Sequence, residues 1–290
     1  MVDAQPLVSV GLPVRNGEST IADVVASVLA QRYDNLELVI SDNASTDATE
    51  SVCRDLARAD HRIVYHRHPE NVGLLNNFIG TINSARGTYF RWISDSDALE
   101  PDYTDQCLAA FGADPRVVLV TTGVAYLTSD GHARTELYTG TGLGSDDPAD
   151  RVVEMLRMLN VSYLQLDPLY AMMRRETIVA IPRRNMLRED QIFAVKLALA
   201  GPWAHVPQVL ARRTWTTGPT SAQATMLGVA PWQSKVANTL QLGELLRVVR
   251  DADLTAAQRA RARAAVYRMY LGRQRSTIRH RSRKLLRLGR

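Results

Sequence analysis

The sequence predicts an α/β protein: a mainly parallel mixed sheet flanked by helices, with a helical extension at its C-terminal end. Three observations carry this. Through residue 128, short apolar, β-branched runs alternate with segments of helical periodicity. The connections between them are short, as in repeated β-α units that set parallel strands beneath covering helices. From Trp232 onward the pattern is helical throughout.

Taken in order, Leu7 to Leu12 (LVSVGL) suits a buried strand. Ser19 or Thr20 can cap a helix to about Gln31, with Ile21, Val24, Val25, Val28 and Leu29 on one face. Leu36 to Ser41 is the second strand and Thr46 to Ala59 the next helix. Arg62 to His66, a helix from Leu74 to Ala85, and Thr88 to Ile93 continue the alternation. Pro101 opens a helix at the favoured first-turn position. Val117 to Leu127 is strand again. Beyond Thr128 the pattern loosens into a Gly- and Asp-rich loop, Thr139 to Asp150. Then come a helix from Pro148 to Leu159, a strand near Leu169 to Met173, a helix from Glu189 to Ala200 and a strand-like VLARRTW. Gly218 to Pro231 reads as a linker. These boundaries give a domain over 1–217, in halves of about 1–128 and 129–217, and a helical region over 218–290.

A chain of 290 residues with 46% hydrophobic and 22% charged residues is ordinary for a globular protein that buries a substantial core. Cys53 and Cys107 fall in predicted helices without metal or redox spacing, and read as small buried hydrophobes in a reducing cytoplasm. The first residues lack a basic n-region and a long apolar run, so no signal peptide is expected. No run reaches the roughly 18 apolar residues that span a bilayer. The net charge of +5 conceals an asymmetry: Ala257 to Arg290 holds twelve of the 35 bases and none of the 30 acids. The remainder therefore carries 23 bases against 30 acids, an acidic body with a basic tail.

Ligands bind parallel sheets at the carboxyl ends of the strands. Here those ends read PVRNGES (Pro13 to Ser19), DNASTD (Asp42 to Asp47), NVGLLNN (Asn71 to Asn77) and DSD (Asp95 to Asp97). One Asp- or Asn-rich loop is ordinary turn chemistry. Four in succession on one sheet edge favour a polar ligand. Asp95 and Asp97, separated by one serine, repel each other unless solvent, a cation or hydrogen bonds relieve them.

These segments resemble family 2 glycosyltransferases. VSVGLPVRNGES, LELVISDNASTDAT, NVGLLNNF, ARGTYFRWISDSDALEPDY and REDQIFAVKLALAG occur in that family's order. The similarity runs from about Leu7 to Thr214. It implies the GT-A fold, a nucleotide-binding α/β domain, and sugar transfer with inversion. No GxGxxG follows the first strand, so a dinucleotide-binding fold is not indicated.

The resemblance assigns roles. Asp95 and Asp97 match the family's DxD, which with Ser96 meets the donor diphosphate and holds a divalent cation. Mn2+ or Mg2+ suits two carboxylates completed by phosphate oxygens. Pro13, Arg15, Asn16 and Glu18 occupy the first nucleotide-binding loop, and Asp42 the position that meets a nucleobase edge, suiting uracil or thymine. Asn43, Ser45 and Asp47 shape the turn and cap the next helix. Asn71, Gly73 and Asn77 close the donor pocket or form an ordinary Asn-capped turn. REDQ (Arg188 to Gln191) stands where the family places its catalytic base, with Asp190 first and Glu189 second; acids there also complement the helix dipole. Where relatives carry a His-containing segment, Thr214 and Trp215 follow LARR, so Arg212 or Arg213 would substitute. His66 and His68 read as surface residues.

The expected activity is metal-dependent, inverting transfer from a nucleotide sugar, UDP-linked, to a glycan, lipid-linked glycan or other hydroxyl acceptor in the cytoplasm. The alternatives are a sugar transferase acting on DNA or another nucleic acid, and a non-catalytic sugar-nucleotide-binding scaffold. For the basic tail three readings compete: a helix docked on the acidic body, a nucleic-acid contact, and a helix on an anionic membrane surface. Val266, Met269 and Tyr270 give it an apolar face, extended by Ile278, Leu285, Leu286 and Leu288. Aromatics for base stacking are absent beyond Arg273, which favours the membrane. A chain ending near Leu254 should then lose vesicle binding, and Asp97→Ala should remove transfer without harming the fold.

Overall fold

Valine, leucine and isoleucine at alternate positions make the first two strands buried on both faces. β1 (Val8–Val14) and β2 (Leu36–Asp42) bury all seven residues each. Along β2, Leu36, Leu38 and Ile40 enter one core layer while Val39 enters the other, the two-residue period of a covered strand. The computed structural model describes residues 5–128, 132–161, 166–215 and 218–288.

β1 pairs in parallel with β2 and with β4 (Tyr89–Trp92), and β2 with β3 (Ile63–Arg67). The helices between them are α1 (Ile21–Leu29), α2 (Thr49–Ala59) and α3 (Leu74–Ser84). α1 buries Ile21, Val24, Val25 and Val28, the face that its periodicity predicts. Beyond β4 the sheet becomes mixed. β5 (Asp97–Leu99), α4 (Tyr103–Ala113), β6 (Leu119–Thr128), β7 (Ala133–Glu136), α5 (Pro148–Val161), β8 (Met172–Arg174), α6 (Arg175–Ala180), α7 (Glu189–Ala200) and β9 (Trp203–Trp215) follow. The strand order is β3-β2-β1-β4-β8-β6-β9-β5, with β7 added to β6. β8 runs antiparallel to both β4 and β6, and β5 antiparallel to β9.

Several local expectations change. Leu169 and Tyr170 lie in a short 3-10 turn, and the strand begins at Met172. Pro101 sits in a turn ahead of α4. The expected linker contains a helix, α8 (Thr220–Met226). β5 and β7 are too short to show a period of two.

Of the last helices, α10 (Ala256–Leu288) packs against α5 and α9 (Ala237–Asp251), and α9 packs against α7. Leu245, Val249, Ala262, Val266 and Met269 belong to the same buried cluster as Trp92 and Phe193. Docking on the body is thus the structural outcome for the tail through Arg273. Arg261 bonds Asp147 at 2.7 Å and also pairs with Asp150, and Gln258 donates to Asp147 at 3.1 Å. The side chains of Ile278, Leu285, Leu286 and Leu288 lie outside the described residues. Among the described residues no helix is long and apolar enough to cross a membrane.

Candidate active site

The loops after β1 and β2 are fastened to each other. Asn16, in the left-handed region at φ 58°, accepts from Thr46 N at 2.9 Å and donates its own N–H to Ser45 Oγ at 2.9 Å. Glu18 accepts from Ala48 N at 2.7 Å, a carboxylate at the start of α2 that complements its dipole. Asp47 accepts from Thr49 N at 3.0 Å and shapes the turn ahead of that helix, whose N-cap is Ala48 rather than the expected aspartate. Pro13 is buried in β1 opposite Ser41. Arg15 is exposed and has no ion pair with a described acid.

Asp42 differs from its expected role. It is fully buried, accepting from Ser45 N at 2.9 Å and from the Tyr65 hydroxyl at 2.8 Å, with the Arg67 guanidinium 3.5 Å away. Its geometry ties the end of β2 to β3 rather than presenting an open carboxylate to a base. Asn43, also buried, accepts from Val72 N at 2.8 Å and so carries the third loop. Asn77 is buried too, accepting from Ser41 Oγ at 2.7 Å and donating to Val14 O. His68 shares that serine at 3.1 Å and is half-buried, unlike the exposed His66. Asn71 accepts from Gly73 N at 3.0 Å, and Gly73 takes φ 86° at the entry to α3. A residue with a β-carbon is strained there.

The Asp95–Ser96 turn follows β4, and Asp97 opens β5 against β9. Asp95 is half-buried, and burial, reinforced by the charge of Asp97, pushes its carboxyl above the usual range. Ser96 is exposed, and its carbonyl accepts from Thr214 Oγ1 at 3.4 Å. Asp97 is only 4% exposed and bonds Arg213 at 3.1 Å. Removing its side chain would therefore leave a buried guanidinium short of a partner. The expectation that Asp97→Ala spares the fold is corrected on that ground. Of the two expected arginines, Arg213 faces the site; Arg212 is exposed and pairs with Glu100.

The REDQ segment forms a turn into α7. Arg188 adopts φ 64° at the N-cap. Glu189 is held by Arg183, whose Nε lies 2.8 Å from Oε1 and whose plane stacks 4.5 Å from the Phe193 ring. Asp190 has no such fork. Burial raises its carboxyl above the usual range, the neighbouring Glu189 adds to this, and Arg183 opposes it. Of the two carboxylates, Glu189 is thus committed to Arg183 and Asp190 is not.

Residues that sequence reasoning missed join these parts. Asp167, buried in the left-handed region at φ 36°, pairs with Arg213. Tyr170 stacks on that guanidinium with 3.7 Å between its ring centre and the Arg213 carbon. The tyrosine hydroxyl is pushed up by burial and then by the charges of Asp97, Asp95 and Asp190. The 3-10 turn of Tyr170 also packs against α7, so the stacked Arg213 that holds Asp97 and the first turn that carries Asp190 meet at one segment. Nothing in the pattern DPLY signals this, because the partners come from distant strands.

The donor set suits a hard divalent cation. Asp95 and Asp97 could supply carboxylate oxygens, and burial, with the charge of Asp97 added, raises the Asp95 carboxyl. Among the described residues no group of three or more His, Cys, Asp or Glu could hold a metal alone. Phosphate oxygens would have to complete its shell.

Comparison with known proteins bears on this arrangement. The family model described as "Glycosyl transferase family 2" matches residues 9–178. The glycosyltransferase GlyA of Streptococcus pneumoniae is 33% identical over 98 residues, 34% of this chain and 14% of that protein. The curated relatives GlyA, EpsH of Bacillus subtilis and RT0329 of Rickettsia typhi are spanned over less than half their length. Residues 1–349 of S. aureus TarS, solved with UDP-GlcNAc, superpose with TM-score 0.68 at 17% identity, covering 91% of this chain and 72% of that one. The mannosyltransferase PcManGT of Pyrobaculum calidifontis, solved with GDP-Man and Mn2+, gives TM-score 0.59 at 18% identity, covering 91% and 70%. At these identities the structural likeness establishes the fold alone, a GT-A fold.

Proposed function

The chain belongs to glycosyltransferase family 2, and from that premise we propose that it is a metal-dependent inverting transferase using a nucleotide sugar. The observation that supports this reading is the turn bearing Tyr170: its ring stacks on Arg213, the partner of Asp97, and the turn itself packs against α7, whose first turn carries Asp190. A reaction at such a junction has an acceptor hydroxyl oxygen attacking the anomeric carbon while the bond to the diphosphate breaks. Asp190 takes the hydroxyl proton. Asp95 and Asp97 would hold the cation, which would neutralise charge on the departing diphosphate. Arg213, beside Asp97, adds a fixed positive charge toward the same leaving group.

A UDP-linked donor is proposed by analogy with TarS, which was solved with UDP-GlcNAc. PcManGT was solved with GDP-Man, so the base is the part to test first. The acceptor we propose is a glycan or lipid-linked glycan, met in the cytoplasm at the membrane surface. Six bases within residues 276–290 support that placement, each able to contribute about 1 kcal/mol at an anionic bilayer. Residues 276–290 would then serve placement. Thermal stabilisation by a panel of nucleotide sugars with Mn2+, followed by assay of nucleotide release, tests the reading. Full activity in EDTA would refute the metal's role, and no stabilisation by any nucleotide sugar would refute the donor class.

A further inference from the structure

The turn bearing Asp190 is backed by a helix 80 residues downstream, outside the segment matched by the family model. Arg273 of α10 is half-buried, and burial together with the Arg188 charge lowers its pKa to about 10. Its Nη2 donates to Gln191 Oε1 at 3.0 Å and to Leu159 O at 3.1 Å, and its Nε donates to Asn160 Oδ1 at 3.1 Å. Nη1 donates to Gln241, the α9 residue that donates in turn to Gln191 Oε1 at 2.9 Å. Arg188, on the other side of Asp190, donates to Gln241 at 3.1 Å and to Asn238. The residues before and after Asp190 are thus held by one network reaching α5, α9 and α10.

We propose that Arg273 is a positioning residue for the transfer reaction: it fixes the Arg188–Gln191 turn and places a positive charge behind Asp190. This rests on the reading of Asp190 as the base. A neutral amide network would satisfy the same polar groups without a charge, yet here two guanidinium groups, Arg188 and Arg273, meet on Gln241 beside the turn that carries Asp190. The charged and titratable groups around that turn are Arg188 and Glu189 within it, Arg183 on Glu189, Arg273 on Gln191, and Tyr170 in the 3-10 turn packed against α7. Cations there favour the ionised carboxylate that a base requires, against the burial that disfavours it.

The test uses the full chain with Mn2+ and UDP-GlcNAc as probe, water as acceptor, and UDP release as readout. Arg273→Met should lower kcat about 100-fold through loss of alignment, while donor KM changes less than about twofold. The acid limb of its kcat profile should move to higher pH, because the carboxylate loses a stabilising cation. Arg273→Lys should bring the limb back while restoring the rate only in part, since a lysine keeps the charge but not the fork. Gln191→Met cuts the same contact from the other side and decides the matter if Arg273→Met does not fold. Unchanged kcat, or a loss matched by the unfolded fraction with no movement of the acid limb, overturns the proposal. Inactive Asp190→Asn beside fully active Arg273→Met fells the clamp and keeps the base. Active Asp190→Asn beside impaired Arg273→Met fells the base and keeps Arg273 as a support for the turn.

Discussion

The two sides of the candidate site are built by opposite means. On the donor side, loops are joined by uncharged backbone donors and short side chains over separations near 30 residues, as from Asn16 to Thr46 and Ser41 to Asn77. On the acceptor side, arginines reach much farther, from Arg213 to Asp97 over 116 residues and from Arg273 to Gln191 over 82. Charge carries the acceptor side because the acids gathered there, Asp97, Asp167 and Glu189, are buried and are held by arginines. Local hydrogen bonds suffice where the ligand brings the charge.

The largest expected effect breaks the acceptor side chemically. Asp190→Asn should lower kcat by about 100- to 10,000-fold with donor KM little changed. The same variant should be more stable than the parent near neutral pH. A carboxyl whose folded pKa is raised contributes fully below its unfolded value, and that contribution is lost as pH rises through the folded value. The amide escapes this loss, and a lower Tm for Asp190→Asn would contradict the assignment. Activity of the parent should likewise fail on acidification at a higher pH than an exposed carboxylate would give.

Next comes the contrast of neighbours. Glu189→Gln breaks a buried fork with Arg183 and should cost about 3 kcal/mol of stability, leaving kcat per folded molecule nearly intact. Denaturant titration beside an active-site count separates the two. At the metal pair, Asp95→Asn should lose Mn2+-dependent turnover and keep its melting temperature, whereas Asp97→Asn should lose both. Equal stabilities for these two variants would remove the distinction drawn from Arg213. The smallest effect lies on the donor side. Tyr65→Phe takes one donor from buried Asp42 and should cost about 1–2 kcal/mol with turnover unaffected.

Vesicle binding needs a different truncation from the one that sequence suggests. Ending near Leu254 would strip Val266 and Met269 from the core, at about 1.5–3 kcal/mol each. A chain ending at Arg275 keeps those contacts and removes six bases. It should melt like the full chain and lose salt-sensitive binding to anionic vesicles.

How much of this was legible in sequence follows the same division. The β-α alternation, the buried face of α1, the buried β1 and the polar strand ends all rest on local patterns, and they are present as read. The two cysteines are buried, with thiols pushed up to about 12 by burial. The convergence of Asp167, Tyr170, Arg183 and Arg273 was not legible, because each partner lies on a different element and no local period records a long-range contact. Asp42 illustrates the reverse. Its motif suggests a ligand contact, while its hydroxyl partner Tyr65 sits on the next strand, where the motif cannot show it.

The distance from Gln191 to Arg273 also sets an order in time. A ribosome adding about 5–20 residues per second needs roughly 4–16 s to pass from one to the other. Through that interval the loops after β1, β2 and β3 already have every partner described for them, while the turn that carries Asp190 has no α10 behind it. That turn is therefore among the last of these parts to gain its full set of partners.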